Sequence, residues 1–358
     1  MNYPVSSSAN SRSYALVLRL GILLVLVAAI TFLAFKIFSR PSSDGSSLAA
    51  SAALSVSETQ EKPAPPPPSK EEFDRKMAHI VNGDSSGLWP VQAEYPLEGA
   101  ILPFKRIVSF YGNLYSKQMG ILGELPPAQM LEKLQLEVKN WQEADTAIEV
   151  IPALHYICVT AQLAPGKGGK HRLRMPFHQI DSVLNMARRI NAITFIDVQV
   201  GLSTLQEEIP QLEAYLKMPD VHLGIDPEFS MKGGQAPGKV VGTFDATDIN
   251  YTSQYLAKLV KDNNLPPKVL VIHRFTKGMV TNYKQISTRP EVQVVMDMDG
   301  WGPPSLKMNT YRQYVQKEPV QFTGFKIFYK NDTKNNSRLL TPQDVLALKP
   351  QPVYIQYQ

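Results

Sequence analysis

The sharpest chemistry in the sequence lies in Leu223-Gly224-Ile225-Asp226-Pro227-Glu228-Phe229, which closes an apolar run beginning at Val221. Residues two apart on a strand point to one face and lie roughly 6.5 Å apart, so Asp226 and Glu228 are expected to share one side of it. Like charges held that close push one carboxyl pKa upward, which a general acid working near neutral pH requires. A salt-bridged pair that only organises its loop is the plainer alternative. Other polar residues interrupt apolar runs in the same way: Tyr111 and Asn113, His155, Asp197 and Gln199, His273, Asp297 and Asp299, Lys326, and Gln356. A carboxylate without a partner is too costly in an apolar core, so these residues either face a solvated mouth or pair with one another.

Two further constellations bear on chemistry. His155, Glu228, His273 and Asp299 offer imidazole and carboxylate groups that would suit a divalent metal if they converged. The chain lacks the HxH and HExxH spacings, however, and no metal or other cofactor is expected. Trp301, in Asp299-Gly300-Trp301-Gly302-Pro303, is the best candidate for an aromatic platform under a sugar ring. The loop from Pro165 to Arg174 carries four formal positive charges and no acid, but its glycines do not have P-loop spacing.

The elements that must position these groups alternate between short β-branched or aromatic runs and helical patterns. Eight strands are expected: Arg106 to Tyr111, Ala147 to Val159, Ala192 to Val200, Val221 to Phe229, Lys268 to Phe275, Val292 to Met298, Phe322 to Tyr329 and Pro352 to Tyr357. Seven helices fall between them, the clearest being Phe177 to Ile190, with a second stripe from Leu205 to Leu216. The fold class is therefore α/β, a (β/α)8 TIM-type barrel over 105–358, with a doubly wound open sheet as the alternative. In such barrels reacting groups sit at the C-terminal ends of strands, where these polar residues fall. The last strand reaches the chain end without a helix to cover it. Residues 71–81 or 88–102, in an extension over 70–104, are expected to pack there.

Upstream, the run from Leu20 to Phe35 is uncharged, and extending it to 14–38 admits only Arg19 and Lys36 near its ends. That length suits a transmembrane signal-anchor helix. Residues 1–13 would form a cytoplasmic tail, and the Ser, Ala and Pro-rich stretch 39–69 a linker. The expected protein is single-pass, with its barrel outside the cytoplasm and the barrel mouth directed away from the membrane. The net charge of +5 is scattered, which argues against a nucleic-acid partner. Cys158, the sole cysteine, lies in an apolar segment that suits a buried thiol.

The strand-four D-x-E, together with Val295-Met296-Asp297-Met298-Asp299, resembles the barrel of chitinase-like family 18 glycoside hydrolases. That resemblance implies Glu228 as the acid, Asp226 as its partner and Asp299 as the residue that orients the substrate. Gly224 stands where that family has an earlier aspartate, and Met298 where it has tyrosine. Ser109-Phe110-Tyr111-Gly112-Asn113, Met119-Gly120-Ile121-Leu122-Gly123-Glu124, Asp197-Val198-Gln199-Val200-Gly201 and Asp226-Pro227-Glu228-Phe229 resemble a family of exported bacterial barrel proteins, often actinobacterial, with no assigned activity. The leading expectation is a membrane-anchored glycoside-hydrolase-like barrel acting on an envelope or extracellular polysaccharide. A non-catalytic glycan-binding or scaffold protein is the second reading, and a metal-dependent hydrolase the third.

Overall fold

A computed structural model of the chain describes residues 69–358. The expected membrane helix at 14–38, the tail before it and nearly all of the linker lie outside the described residues. Among the described residues no helix is long and apolar enough to cross a membrane.

Eight parallel strands close into a barrel. They are β1 (Lys105–Gly112), β2 (Glu149–Ala161), β3 (Ile193–Val198), β4 (Val221–Ile225), β5 (Lys268–Arg274), β6 (Val292–Met298), β7 (Phe322–Ile327) and β8 (Tyr354–Tyr357). Each pairs with its sequence neighbours, and β1 pairs with both β2 and β8, with Ile107 opposite Ile151 on one side and Tyr354 on the other. That closure makes the sheet a TIM-type barrel and excludes the open doubly wound sheet.

The two faces of each strand explain the near-continuous apolar runs. Outward-facing residues pack under helices α2 (Pro127–Ala144), α3 (Phe177–Arg188) and α4 (Ala246–Asn263), which bury Leu134 and Trp141, Val183 and Leu184, and Leu256 and Val260 against them. The start of α4 is set by a capping box: Asp245 accepts from the Thr247 N–H, while Asp248 accepts from the Asp245 N–H. Inward-facing residues form a second apolar cluster, including Ile107, Phe195, Val271, Val295 and Phe322, near the N-terminal end of the barrel.

Three expectations change. The stripe from Leu205 to Leu216 is not one helix but Leu205–Glu208, a 3-10 turn Ile209–Leu212, and Glu213–Leu216. Pro210 cannot donate the i→i−4 bond that a continuous helix needs there. After β5 no α-helix precedes β6, only the 3-10 turns Lys277–Met279 and Tyr283–Gln285 with the two-residue strand Val280–Thr281 between them. Strand β8 is met from outside by α2, whose Trp141 donates its indole N–H to the Tyr357 hydroxyl at 2.9 Å, and the short helix Pro342–Leu346 packs on α2. Helix α1 (Lys70–Val81) and the stretch ending at Leu102 instead plug the N-terminal end of the barrel. Ile80 and Leu102 join the inner apolar cluster, and the Ile80 carbonyl accepts from the Gln351 N–H.

Candidate functional site

Along the inner faces, apolar residues give way to polar ones toward the C-terminal ends of the strands. Asp197 is the hub. Its Oδ1 lies 3.2 Å from His155 Nε2 and 3.4 Å from His273 Nε2, and its Oδ2 accepts from the Tyr111 hydroxyl at 3.1 Å. His155 Nδ1 meets the Tyr354 hydroxyl at 2.5 Å and Gln356 Nε2 at 3.2 Å. His273 Nδ1 stands 3.3 Å from Asp297 Oδ2 and 3.2 Å from Asp299 Oδ2. Lys326 completes the chain, with Nζ 3.0 Å from Asp299 Oδ1 and 3.9 Å from the centre of the Tyr111 ring. Every one of these side chains is buried.

The cluster explains why residue 224 is glycine where the hydrolase pattern has aspartate. A Cβ there would lie 2.3 Å from Asp197 Oδ1 and 2.4 Å from His155 Nε2. Likewise, a Cβ on Gly324 would meet Asp297 Oδ1 at 2.6 Å. The space a longer side chain would take is already filled by charge pairs that cannot shift without losing partners. Gly224→Ala is therefore expected to destabilise the barrel by about 3 kcal/mol, the upper part of the range for overpacking. Urea unfolding checks this, and a loss below about 1 kcal/mol would mean that the cluster yields freely.

Above the cluster opens a cavity of about 590 Å³. Of the residues expected to form a site, Tyr111, Gln199, Asp226, Glu228, Asp299, Trp301 and Lys326 line it. His155, Asp197, His273 and Asp297 do not; they lie fully buried in the barrel interior and are not open to a ligand in the cavity. Asn113 is also buried, holding the loop after β1 by donating to the Ile157 carbonyl and accepting from the Tyr115 N–H. Trp301 is 55% exposed at the rim, with Lys334 Nζ 5.1 Å from its ring centre. The basic loop is neutralised in part: Arg172 and Arg174 both pair with Glu208, at 2.7 and 2.6 Å.

The D-x-E pair is built differently from the expected strand alternation. Strand β4 ends at Ile225, and Pro227–Phe229 form a 3-10 turn capped by Asp226, whose Oδ1 accepts from the Glu228 N–H at 3.1 Å. Pro227 has no N–H to continue the ladder, so the chain turns and carries Glu228 over the cavity. Asp299 extends the ladder one step past β6 instead, its N–H donating to the Arg274 carbonyl at 3.0 Å.

These environments drive the carboxyls apart. Burial, reinforced by the charge of Asp299, pushes Glu228 up to about 7, against the opposing pull of Lys326 and His273. Burial would also raise Asp299, but Lys326 and His273 overcome it and hold that carboxyl below the usual range. Asp226 is raised well above its ordinary value by burial, with Glu228, Asp197 and Asp299 adding to the shift. Asp299 thus takes the tuning role expected of Asp226. Burial lowers His155 to about 4. On His273 burial acts in the same sense, but the surrounding carboxylates win and favour the cation.

Sequence reasoning missed Lys307 and Asp332, a buried pair at 2.9 Å that pins the loop carrying Trp301. It also missed Tyr354, which shares the inner face with Gln356 and was legible from that alternation.

No family model matches the chain, and no curated protein matches it. Among solved structures it is similar to a GH5-4 broad-specificity endoglucanase from Clostridium longisporum, at 9% identity and a TM-score of 0.35, over 63% of this chain and 75% of that one. A likeness that slight carries no argument, and the barrel assignment rests on the strand order.

Proposed function

We propose that the protein is a glycoside-hydrolase-like enzyme that cleaves an envelope or extracellular polysaccharide, with Glu228 as the general acid. The observation that carries this reading is the position of Glu228: half-buried over the cavity, with its carboxyl at about 7 beside an Asp299 held ionised. Two carboxyl groups pushed in opposite directions are what acid-assisted cleavage through an oxocarbenium-like state uses. Glu228 protonates the departing glycosidic oxygen as the C–O bond breaks, and water then adds to the oxocarbenium-like carbon and gives up a proton. Asp299 supplies negative charge to the developing cation, and Trp301 offers its face to a sugar ring. In the same proposal the chain is anchored by its N-terminal segment with the barrel outside the cytoplasm. The plug helix α1 joins the barrel at the end opposite the cavity, which suits a mouth turned away from a membrane.

The test is hydrolysis of a broad glycan panel by the purified chain. A general acid at about 7 is protonated below that pH, so activity should fall as pH rises through 7. Asp299→Asn removes a charge that raises Glu228, so the alkaline limb should move to lower pH. A limb that stays in place or moves upward would show that Asp299 does not act on Glu228.

One observation favours a second reading. Both Asp299 oxygens are already engaged, by Lys326 and His273, which suits a rigid glycan-binding wall as well as a catalytic one. Glycan binding that survives Glu228→Gln, with no turnover on any substrate, would establish that reading.

A further inference from the structure

The interior beneath the cavity holds more than an acid-catalysed cleavage needs. Imidazoles from β2 and β5 aim the same ring nitrogen at one oxygen, with His155 Nε2 at 3.2 Å and His273 Nε2 at 3.4 Å from Asp197 Oδ1. The three ligand atoms lie within 4.8 Å of one another, and all three side chains are fully buried. Around a tetrahedral zinc ion with bonds of about 2.0–2.1 Å, neighbouring ligand atoms are roughly 3.3–3.4 Å apart. The spacing on both sides of Asp197 matches that edge.

Protons close this cluster poorly. Neither His273 nitrogen makes a directed hydrogen bond, both Asp297 oxygens are buried without one, and so is Gln356 Oε1. Such groups are expensive to bury unpaired. An ion bound to both Nε2 atoms would leave a proton on each Nδ1. That of His273 then faces Asp297 and Asp299, at 3.3 and 3.2 Å, which is the carboxylate support that metal-bound imidazoles usually have. That of His155 faces the Tyr354 hydroxyl, and half a turn of the Gln356 amide brings its unpartnered Oε1 toward the same proton. A dication also offsets the negative charge of the three aspartates buried here.

We infer that His155 Nε2, Asp197 Oδ1 and His273 Nε2 form a tetrahedral site for a divalent transition-metal ion, zinc by preference, with one position left for water. Nitrogen ligands with a single carboxylate favour zinc over magnesium or calcium. The ion would tie β2, β3 and β5 together across the barrel. This site goes beyond the proposed hydrolase chemistry and stands or falls separately, because its readouts are metal content and coordination rather than turnover.

The experiment uses the full chain, untagged and purified without chelator, with zinc as the probe. One equivalent of bound zinc is expected, and chelator-treated protein should regain it with a rise in Tm that grows with free zinc. X-ray absorption of the zinc-loaded protein should show two imidazole ligands. Asp297→Asn should weaken zinc binding by roughly 10- to 100-fold while leaving one equivalent at saturation. Absence of binding up to about 1 mM zinc would overturn the site, as would fewer than two imidazoles. Unchanged affinity in a folded His155→Gln/His273→Gln variant would also overturn it. If that variant does not fold, the absorption spectrum of the unaltered chain decides.

Discussion

Glu228→Gln is expected to lower turnover of any glycan the protein cleaves by about 10²- to 10⁴-fold, the contribution of a well-placed general acid, while leaving the barrel folded. Glutamine keeps the shape and hydrogen-bonding capacity of the side chain but has no proton to give. Because Glu228 is half-buried and no ion pair holds its carboxyl among the described contacts, the substitution leaves no charge stranded in the interior. The main-chain N–H of Glu228 still bonds to Asp226, so the turn over the cavity persists. Two measurements separate loss of chemistry from loss of structure. The urea midpoint should move little, and the alkaline limb near pH 7 should vanish from whatever activity remains. Undiminished cleavage by Glu228→Gln would remove Glu228 from the mechanism and the proposed function with it.

The barrel was legible because parallel strands buried on both faces leave near-continuous apolar runs, and β6 was expected at the residues it occupies. Element ends were less legible where a proline intervened. Pro210 breaks a stripe that reads as a helix, and Pro227 ends β4 four residues before the expected Phe229. The polar residues of the site were found by their interruption of apolar runs, but that signal cannot rank depth. Asp197 and Asp226 look alike in sequence, yet one is a buried hub and the other lines the cavity. The departure at Gly224 was visible, and only the packed cluster around it supplies the reason. The cluster itself depends on contacts between residues as distant as His155 and Gln356, which no local pattern encodes.

Lys307 marks the limit of that legibility, and Lys307→Met is expected to carry the largest stability loss. Its position on α5 (Pro304–Tyr311) gives no hint of burial, since lysine on a helix is usually solvated. Here the ammonium is buried, donating to the carbonyls of Gly300 at 2.7 Å and Lys326 at 2.8 Å and pairing with Asp332 at 2.9 Å. Asp332 in turn accepts from the N–H groups of Gly302 and Phe328, each at 2.9 Å. The pair therefore ties the loop carrying Asp299 and Trp301 to the end of β7. Methionine fills the space of the stem but strands a buried carboxylate and two carbonyls. Breaking one partner of such a pair costs about 3–5 kcal/mol, which urea unfolding would register as a lower midpoint at unchanged slope. Adding Asp332→Leu should recover part of the loss, because the double variant no longer buries a lone charge. A loss under about 1 kcal/mol in Lys307→Met would mean that water reaches Asp332 when the lysine is gone. The loop would then owe its position to Gly302 and the packing of Leu306 rather than to the ion pair.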